Sequence, residues 1–309
     1  MPAVIRPWTT RDLETLRTLM EDPGIAGQFD IFTGPGILEQ RLADPHLRHG
    51  CVRLAFLGDE PVGFGFAFVL PSAAGDWSVV RVAVRPPFRR RGIGRALADA
   101  VVEAVKQLPD LPHLVELGSS AWTPSPDAEG FAASLGYRTD RMFWLMERPR
   151  GAVPEPRWPD RIRTRVLDGS PETLKDWNAV YNDSFSEHYH FVPSSLDDAR
   201  AIAAGPGFRA DGVLLAYRDE RCVGFCRCEL HEKRGEIGTI GVAHGARGIG
   251  IGRALLRWGV HWVEAATPLP VTLTVDGENE SALRLYRQEG FEVTRTRAIW
   301  VRRLADRGA

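Results

Sequence analysis

At 309 residues the chain is long for one hydrophobic core and comfortable for two domains of about 150 residues. A formal net charge of −1 gives no electrostatic hold on nucleic acid or an anionic membrane, and 44% apolar with 26% charged residues is ordinary for a globular protein. No window approaches ~18 uninterrupted apolar residues and the opening MPAVIRPWTTRDLE is not a signal peptide, so a cytoplasmic location is expected.

Residues 3–8 predict a first strand, and Thr9 or Thr10 can cap a helix carrying Leu13, Leu16 and Met20 on one face. A loop-and-helix region with a break at Thr33-Gly34-Pro35-Gly36 reaches residue 49. Residues 51–57 and 62–70 predict an antiparallel pair turning at Gly58-Asp59-Glu60-Pro61. The strand 77–85 leads into a glycine turn and a helix with Leu97, Ala100, Val101, Ala104 and Val105 inward. A strand at 113–118, a short helix at 127–135 and strands over 137–147 follow. Residues 149–160 hold four prolines and one glycine, which neither a helix nor a central strand tolerates. They are read as a linker between domains at 1–148 and 161–309.

After the linker, residues 161–167 predict a strand comparable with 3–8, and 171–186 a helix leading into a polar-aromatic segment, 184–191. Strands at 212–218 and 222–231 turn at Asp219-Glu220. Strand 236–243 meets Arg247-Gly248-Ile249-Gly250-Ile251-Gly252, and the following helix has Leu255, Gly259, Trp262, Val263 and Ala266 on one face. Strand 271–275, helix 279–288 and strand 291–302 close the chain. Cys222, Cys226 and Cys228 lie on a strand, where even positions share a face. Without a C-x-x-C pair or spaced histidines they read as half-buried strand cysteines rather than metal ligands.

A glycine-rich turn between strand and helix leaves backbone N–H groups at the positive end of a helix dipole, which suits a phosphate. Neither G-x-G-x-x-G nor G-x-x-x-x-G-K-[ST] fits. What fits is Arg-x-x-Gly-x-Gly after a strand, and it occurs twice: Arg89, Gly92 and Gly94 precede Arg247, Gly250 and Gly252 by a constant 158 residues. Val62-Gly63-Phe64 and Val223-Gly224-Phe225 upstream, with Leu135-Gly136-Tyr137 and Glu289-Gly290-Phe291 downstream, repeat in the same order, so the chain reads as a duplication. The motif resembles the acyl-CoA pyrophosphate loop of the GNAT superfamily of N-acetyltransferases, and the resemblance extends over essentially the whole chain. It implies an α/β fold (α+β, mixed sheet) of two GNAT domains in tandem. It further implies acetyl-CoA as donor and direct transfer to the primary amine of a small molecule, by a monomer or homodimer. The layout is similar to that of mycothiol synthases, which pair a catalytic C-terminal copy with an inactive N-terminal one; no residue points to that acceptor in particular. A non-catalytic acyl-CoA sensor or scaffold, and a protein or peptide N-acetyltransferase, remain as alternatives.

The resemblance also implies roles. Arg247, Gly248, Ile249, Gly250, Ile251, Gly252 and Arg253 would hold the pyrophosphate, as would Arg89, Arg90, Arg91, Gly92, Gly94 and Arg95, beside Val84, in the first copy. The backbone of Ile240, Gly241 and Val242 would pair with the pantetheine arm. Glu236, six residues before Val242 and so on its face, is expected as base for the amine. Tyr286, in a motif with Asn279, Ala282, Gly290 and Phe291, is expected as acid for the leaving thiolate. Asn279 reads as a helix N-cap, although family members also use it near CoA. His188, Tyr189 and His190 fall where acceptor-binding loops lie, or else cap a loop; His244 reads as solvated, and His231, at a strand end, could assist as a base. In the first copy Ser78 and Ala132 stand at the places of Glu236 and Tyr286, and neither Asp76 nor Tyr137 is placed to substitute. That copy is therefore expected to keep the loop and to have lost the chemistry.

Overall fold

The computed structural model describes residues 2–28, 37–44, 46–70, 77–109, 116–205 and 207–304; residues 33–36 and Asp76 lie outside them. The chain divides into two compact units, Met1–Met142 with Arg297–Ala309, and Phe143–Thr296.

In the first unit, β1 (Val4–Pro7), α1 (Leu13–Glu21), α2 (Pro23–Ala26) and α3 (Ile37–Leu42) precede the antiparallel strands β2 (Arg53–Leu57), β3 (Glu60–Leu70) and β4 (Trp77–Val84). Then come α4 (Ile93–Lys106), β5 (Glu116–Thr123) and α5 (Pro126–Ser134). The alternation of β3 decides which helix covers which face. Phe64 and Phe66 pack with Leu16, Leu19 and Met20 of α1. On the opposite face Gly63 and Gly65 let α4 approach: a Cβ on Gly65 would stand 3.0 Å from Val101.

The rest of the chain supplies β6 (Arg138–Arg148), β7 (Ile162–Val166), α6 (Pro171–Phe185), α7 (Leu196–Ala203), β8 (Val213–Arg218), β9 (Arg221–Leu230) and β10 (Gly235–Val242). It ends with α8 (Ile251–Ala266), β11 (Val271–Asp276), α9 (Glu280–Gln288) and β12 (Glu292–Arg303). The second unit repeats the first unit's logic. Cys226 and Cys228 lie buried with their sulfurs 3.9 Å apart beneath Gly259 of α8, where a Cβ would stand 2.9 Å from Cys226 Sγ. On the other face Tyr181 and Phe185 of α6 pack on Phe225. Helix α8 buries Ile251, Leu255, Leu256, Val260 and Val263, each contributing about 1.5–3 kcal/mol. The expected stripe ends one turn early, since Ala266 is exposed.

Two boundaries differ from the sequence expectation. The last strand of each half is divided between the two units. Phe143–Arg148 of β6 pairs antiparallel with β11, and the end of β12 brings Ala298 and Trp300 into the first unit's core beside Leu117 and Tyr137. The proline-rich stretch 149–160 is no free spacer. Arg148 donates to Glu264 and to the carbonyls of Gly151 and Ala152, Arg150 donates to the carbonyls of Glu264 and Thr267, and Val153 and Trp158 pack on the second core.

Candidate active site

In the second unit the polypeptide leaves β10, turns through 244–246 and enters α8 across Gly248 (φ 81°) and Gly250 (φ 98°). Both angles lie in the left-handed region, where a Cβ costs about 1–2 kcal/mol. The first turn of α8 directs N–H groups without intrahelical partners at the loop, the arrangement that holds a pyrophosphate. Arg247 braces the loop. Its Nε donates to Val242 O at 3.2 Å and its guanidinium to Ser184 O at 3.0 Å, which pins the strand end to α6. Arg253 is held by Glu289 and Gln288 at the end of α9.

The first unit braces its loop in the same way. Arg89 donates to Val84 O at 2.9 Å and to Gly24 O of α2 at 2.7 Å, and Arg95 donates to Ser134 O at the end of α5. Gly92 is left-handed at φ 78°, and Arg90 occupies at φ 61° the place of Gly248, while Arg91 lies over Phe88. Around this loop is a cavity of about 500 Å³ whose walls include Val84, Arg90, Gly94, Ser120, Ala132 and Tyr137. Ala132, where the second copy has Tyr286, is one reason the space exists. Burial pushes the Tyr137 phenol up to about 12.

Beyond the loops the parallel strands part. Gly235 and Glu236 pair with Val271 and Thr272, and among the described residues the ladder goes no further; in the first unit Trp77–Val79 pairs with Glu116–Gly118 and then stops. The edge of β10 at Ile240, Gly241 and Val242 thus lies beyond the paired part of the β10–β11 ladder.

The face assignment of Glu236 requires a correction. The pairing of β10 with β9 shifts by one residue between Ile237 and Thr239, so Gly238 is a β-bulge. One extra residue reverses the alternation, and Glu236 and Val242, six apart, point to opposite faces. Glu236 shares the α6 face with Thr239, Gly241 and, across the ladder, Glu229 and Arg227. Strand β4 has no such shift. Matching β9 to β3 places Val79, not Ser78, opposite Phe68 as Glu236 lies opposite Glu229. Ser78 is buried on the other face, donating to Phe68 O at 3.0 Å.

Glu236 is ionised and paired. Oε2 accepts from Arg234 at 3.0 Å and lies 3.1 Å from His231 Nε2. Burial raises its pKa, but the His231 hydrogen bond and the Arg234 charge outweigh burial and hold it below the usual carboxylate value. Tyr286 is 7% exposed in the second core and its pKa is raised by burial, then by Cys226, so the phenol keeps its proton. Asn279 caps α9, accepting from Ala282 N at 3.1 Å. His188 packs on Phe185 and Phe143, and Tyr189 and His190 stack edge to face in the turn after α6. His244 is not a solvated loop residue. Nδ1 lies 2.9 Å from Asp183 and Nε2 2.8 Å from Glu187, which together raise its pKa and favour the imidazolium.

The model of the acetyltransferase (GNAT) family matches residues 14–137 and again residues 174–291. The chain belongs to the GNAT family. Mycothiol acetyltransferase of Salinispora arenicola is 33% identical over 291 residues, spanning 91% of this chain and 90% of that protein. A protein of the same name from Thermomonospora curvata is 34% identical over 249 residues, 79% and 80% of the two chains. Two solved structures share the fold. A tandem GNAT protein from the clavulanic acid biosynthesis pathway matches with a TM-score of 0.72 at 18% identity over 98% of both chains. An N-acetyltransferase from Sphaerobacter thermophilus gives 0.74 at 24%, over 97% of this chain and 95% of that one. The chain is thus an acetyltransferase of two GNAT regions, and the family's donor is acetyl-CoA. Among the described residues no helix is long and apolar enough to cross a membrane.

Within this GNAT frame, sequence reasoning missed the bulge and the His244 clamp. A glycine inside an alternating strand was the available signal for the bulge. The clamp had none, because Asp183 and Glu187 lie about sixty residues upstream.

Proposed function

We propose that the protein transfers the acetyl group of acetyl-CoA to the primary amine of a small thiol of the mycothiol type, directly in a ternary complex, with the chemistry in the C-terminal copy. The observation that carries this is Glu236: the bulge presents its ionised carboxylate on the sheet face beyond α6, at the mouth of the gap between β10 and β11. Acetyl-CoA supplies an activated acyl thioester. The α8 amino terminus and Gly248–Gly252 would hold its pyrophosphate, and the free edge at Ile240–Val242 would align the pantetheine arm. Glu236 takes a proton from the acceptor ammonium, and Tyr286 gives one to the departing sulfur. His188, Tyr189 and His190 would contact the acceptor.

The N-terminal copy supports a second, compatible reading: acyl-CoA binding without chemistry. It keeps the braced loop and a cavity, yet has Val79 and Ala132 in the two proton-transfer positions. Calorimetric titration of acetyl-CoA into wild type, Gly252→Trp and Gly94→Trp tests both, alongside acetylation of mycothiol lacking its acetyl group. We expect Gly252→Trp to abolish turnover and one binding event, and Gly94→Trp to remove only the other. Unchanged binding in both variants would refute the loop assignment.

A further inference from the structure

Past the end of α6 the sheet face carries a continuous row of charge. Arg227 pairs with Glu229 at 2.6 Å, Glu229 lies 3.6 Å from His231 Nε2, and that nitrogen lies 3.1 Å from Glu236. The hairpin that brings His231 and Arg234 together is closed by His231 N donating to Arg234 O at 2.9 Å. We propose that His231 is the proton exit of the active site, acting through Glu236 to carry the proton taken from the acceptor ammonium out to solvent. This rests on the reading of Glu236 as the base.

An ammonium has two protons to lose in becoming an amide nitrogen. One ends on the departing thiol through Tyr286, and the other must reach water. The Glu236 side chain is only 16% exposed, whereas His231 is 39% exposed and touches both the carboxylate and solvent. A carboxyl held below its usual range is too acidic to store a proton at neutral pH and must hand it on. An exposed imidazole can take a proton at one ring nitrogen and release one at the other. At rest Nε2–H donates to the Glu236 carboxylate; once Glu236 is protonated, the exposed ring exchanges to its Nδ1–H form, Nε2 takes the proton from Oε2, and Nδ1 releases one to water. Exchange at the exposed ring then restores the starting tautomer. Among the described residues the charges facing the ring are Glu229 of β9, Arg234 of the hairpin and Glu236 of β10; Arg227 acts only through Glu229. Glu229 stabilises the transient imidazolium, and Arg234 returns Glu236 to its anion.

The test measures kcat against pH for wild type, His231→Gln, His231→Ala and Glu236→Gln, using acetyl-CoA and mycothiol lacking its acetyl group. Thermal midpoints and calorimetric acetyl-CoA affinity accompany each variant. Both His231 variants should melt and bind acetyl-CoA as wild type does, and lose about a hundredfold in kcat with little change in the amine KM. Added imidazole should restore rate to His231→Ala but not to Glu236→Gln. Wild-type kcat and profile in His231→Gln, beside an inactive Glu236→Gln, overturns the relay and leaves the base in place. Wild-type rates in Glu236→Gln, or no turnover of this amine by wild type, remove the base reading and the relay with it. A slow His231→Ala that imidazole does not rescue, with a lowered midpoint, makes His231 a structural partner and also overturns the relay.

Discussion

Replacing Tyr286 by phenylalanine and by alanine separates what its ring does from what its hydroxyl does. The ring is 7% exposed, lies 6.1 Å from that of Phe291, and belongs to the second unit's core. Alanine removes the whole ring at a cost of about 3–5 kcal/mol. For a unit of this size that lowers the thermal midpoint by about 6–20 °C. Phenylalanine keeps the packing and should stay within about 1 kcal/mol of wild type. If the phenol protonates the departing thiolate, phenylalanine nevertheless costs about 10²–10⁴ in kcat with acetyl-CoA affinity intact. Because burial raises the phenol's pKa, Tyr286 should impose no alkaline limb on kcat below about pH 10. Scanning calorimetry reads the first quantity, and loss of the thioester ultraviolet absorbance reads the second. Phenylalanine at wild-type kcat refutes the acid role, and alanine at a wild-type midpoint refutes the packing argument.

Two further outcomes follow from the same face of the sheet. A Cβ on Gly238 would stand 2.5 Å from Glu229 Oε1. In Gly238→Ala the carboxylate end of Glu229 must move aside, so stability should change by less than about 1 kcal/mol. The row through Arg227 and His231 is broken, so kcat/KM for the amine should fall while acetyl-CoA affinity holds; unaltered amine kinetics would place the acceptor elsewhere. Glu236 has a folded pKa below its unfolded one. Its pairing therefore stabilises the fold above the ordinary carboxylate value, near ~4.3, and that contribution is lost as pH falls through the folded value. Denaturant midpoints of wild type and Glu236→Gln should accordingly converge as the medium is acidified, and a constant difference would show that the pair contributes nothing.

What the sequence made legible is what local chemistry decides. The glycine loops, the apolar stripes of α4 and α8 and nearly every strand follow from spacing alone, and Asn279 is the cap its position implied. The rest depended on partners far along the chain. Alternation names the two faces of a strand but not its neighbour, so nothing in 137–147 or 291–302 revealed that each crosses into the other unit's sheet. Alternation also assumes an unbroken ladder, and a single extra residue at Gly238 was enough to reverse Glu236. The bracing role of the motif arginines was hidden for a related reason: the carbonyls of Gly24 and Ser184 that Arg89 and Arg247 reach lie more than sixty residues upstream.

The division of the terminal strands between the units makes each half of the chain depend on the other for part of its fold. A chain ending in the linker would lose Ala298 and Trp300 from the first core, and the second half alone would lose Phe143–Arg148, with buried Met146, from beside β11. Each large buried side chain among these contributes about 1.5–3 kcal/mol, a substantial part of a typical domain stability of about 5–15 kcal/mol. In the first copy Val79 and Ala132 stand where the second copy has Glu236 and Tyr286, and the core of β3, α1 and α4 remains buried beside the cavity that Ala132 lines. Loss of the first half itself would remove Phe143–Arg148, the strand segment that pairs with β11. Residues 79 and 132 can therefore vary while the selection on the fold that carries them stays in force.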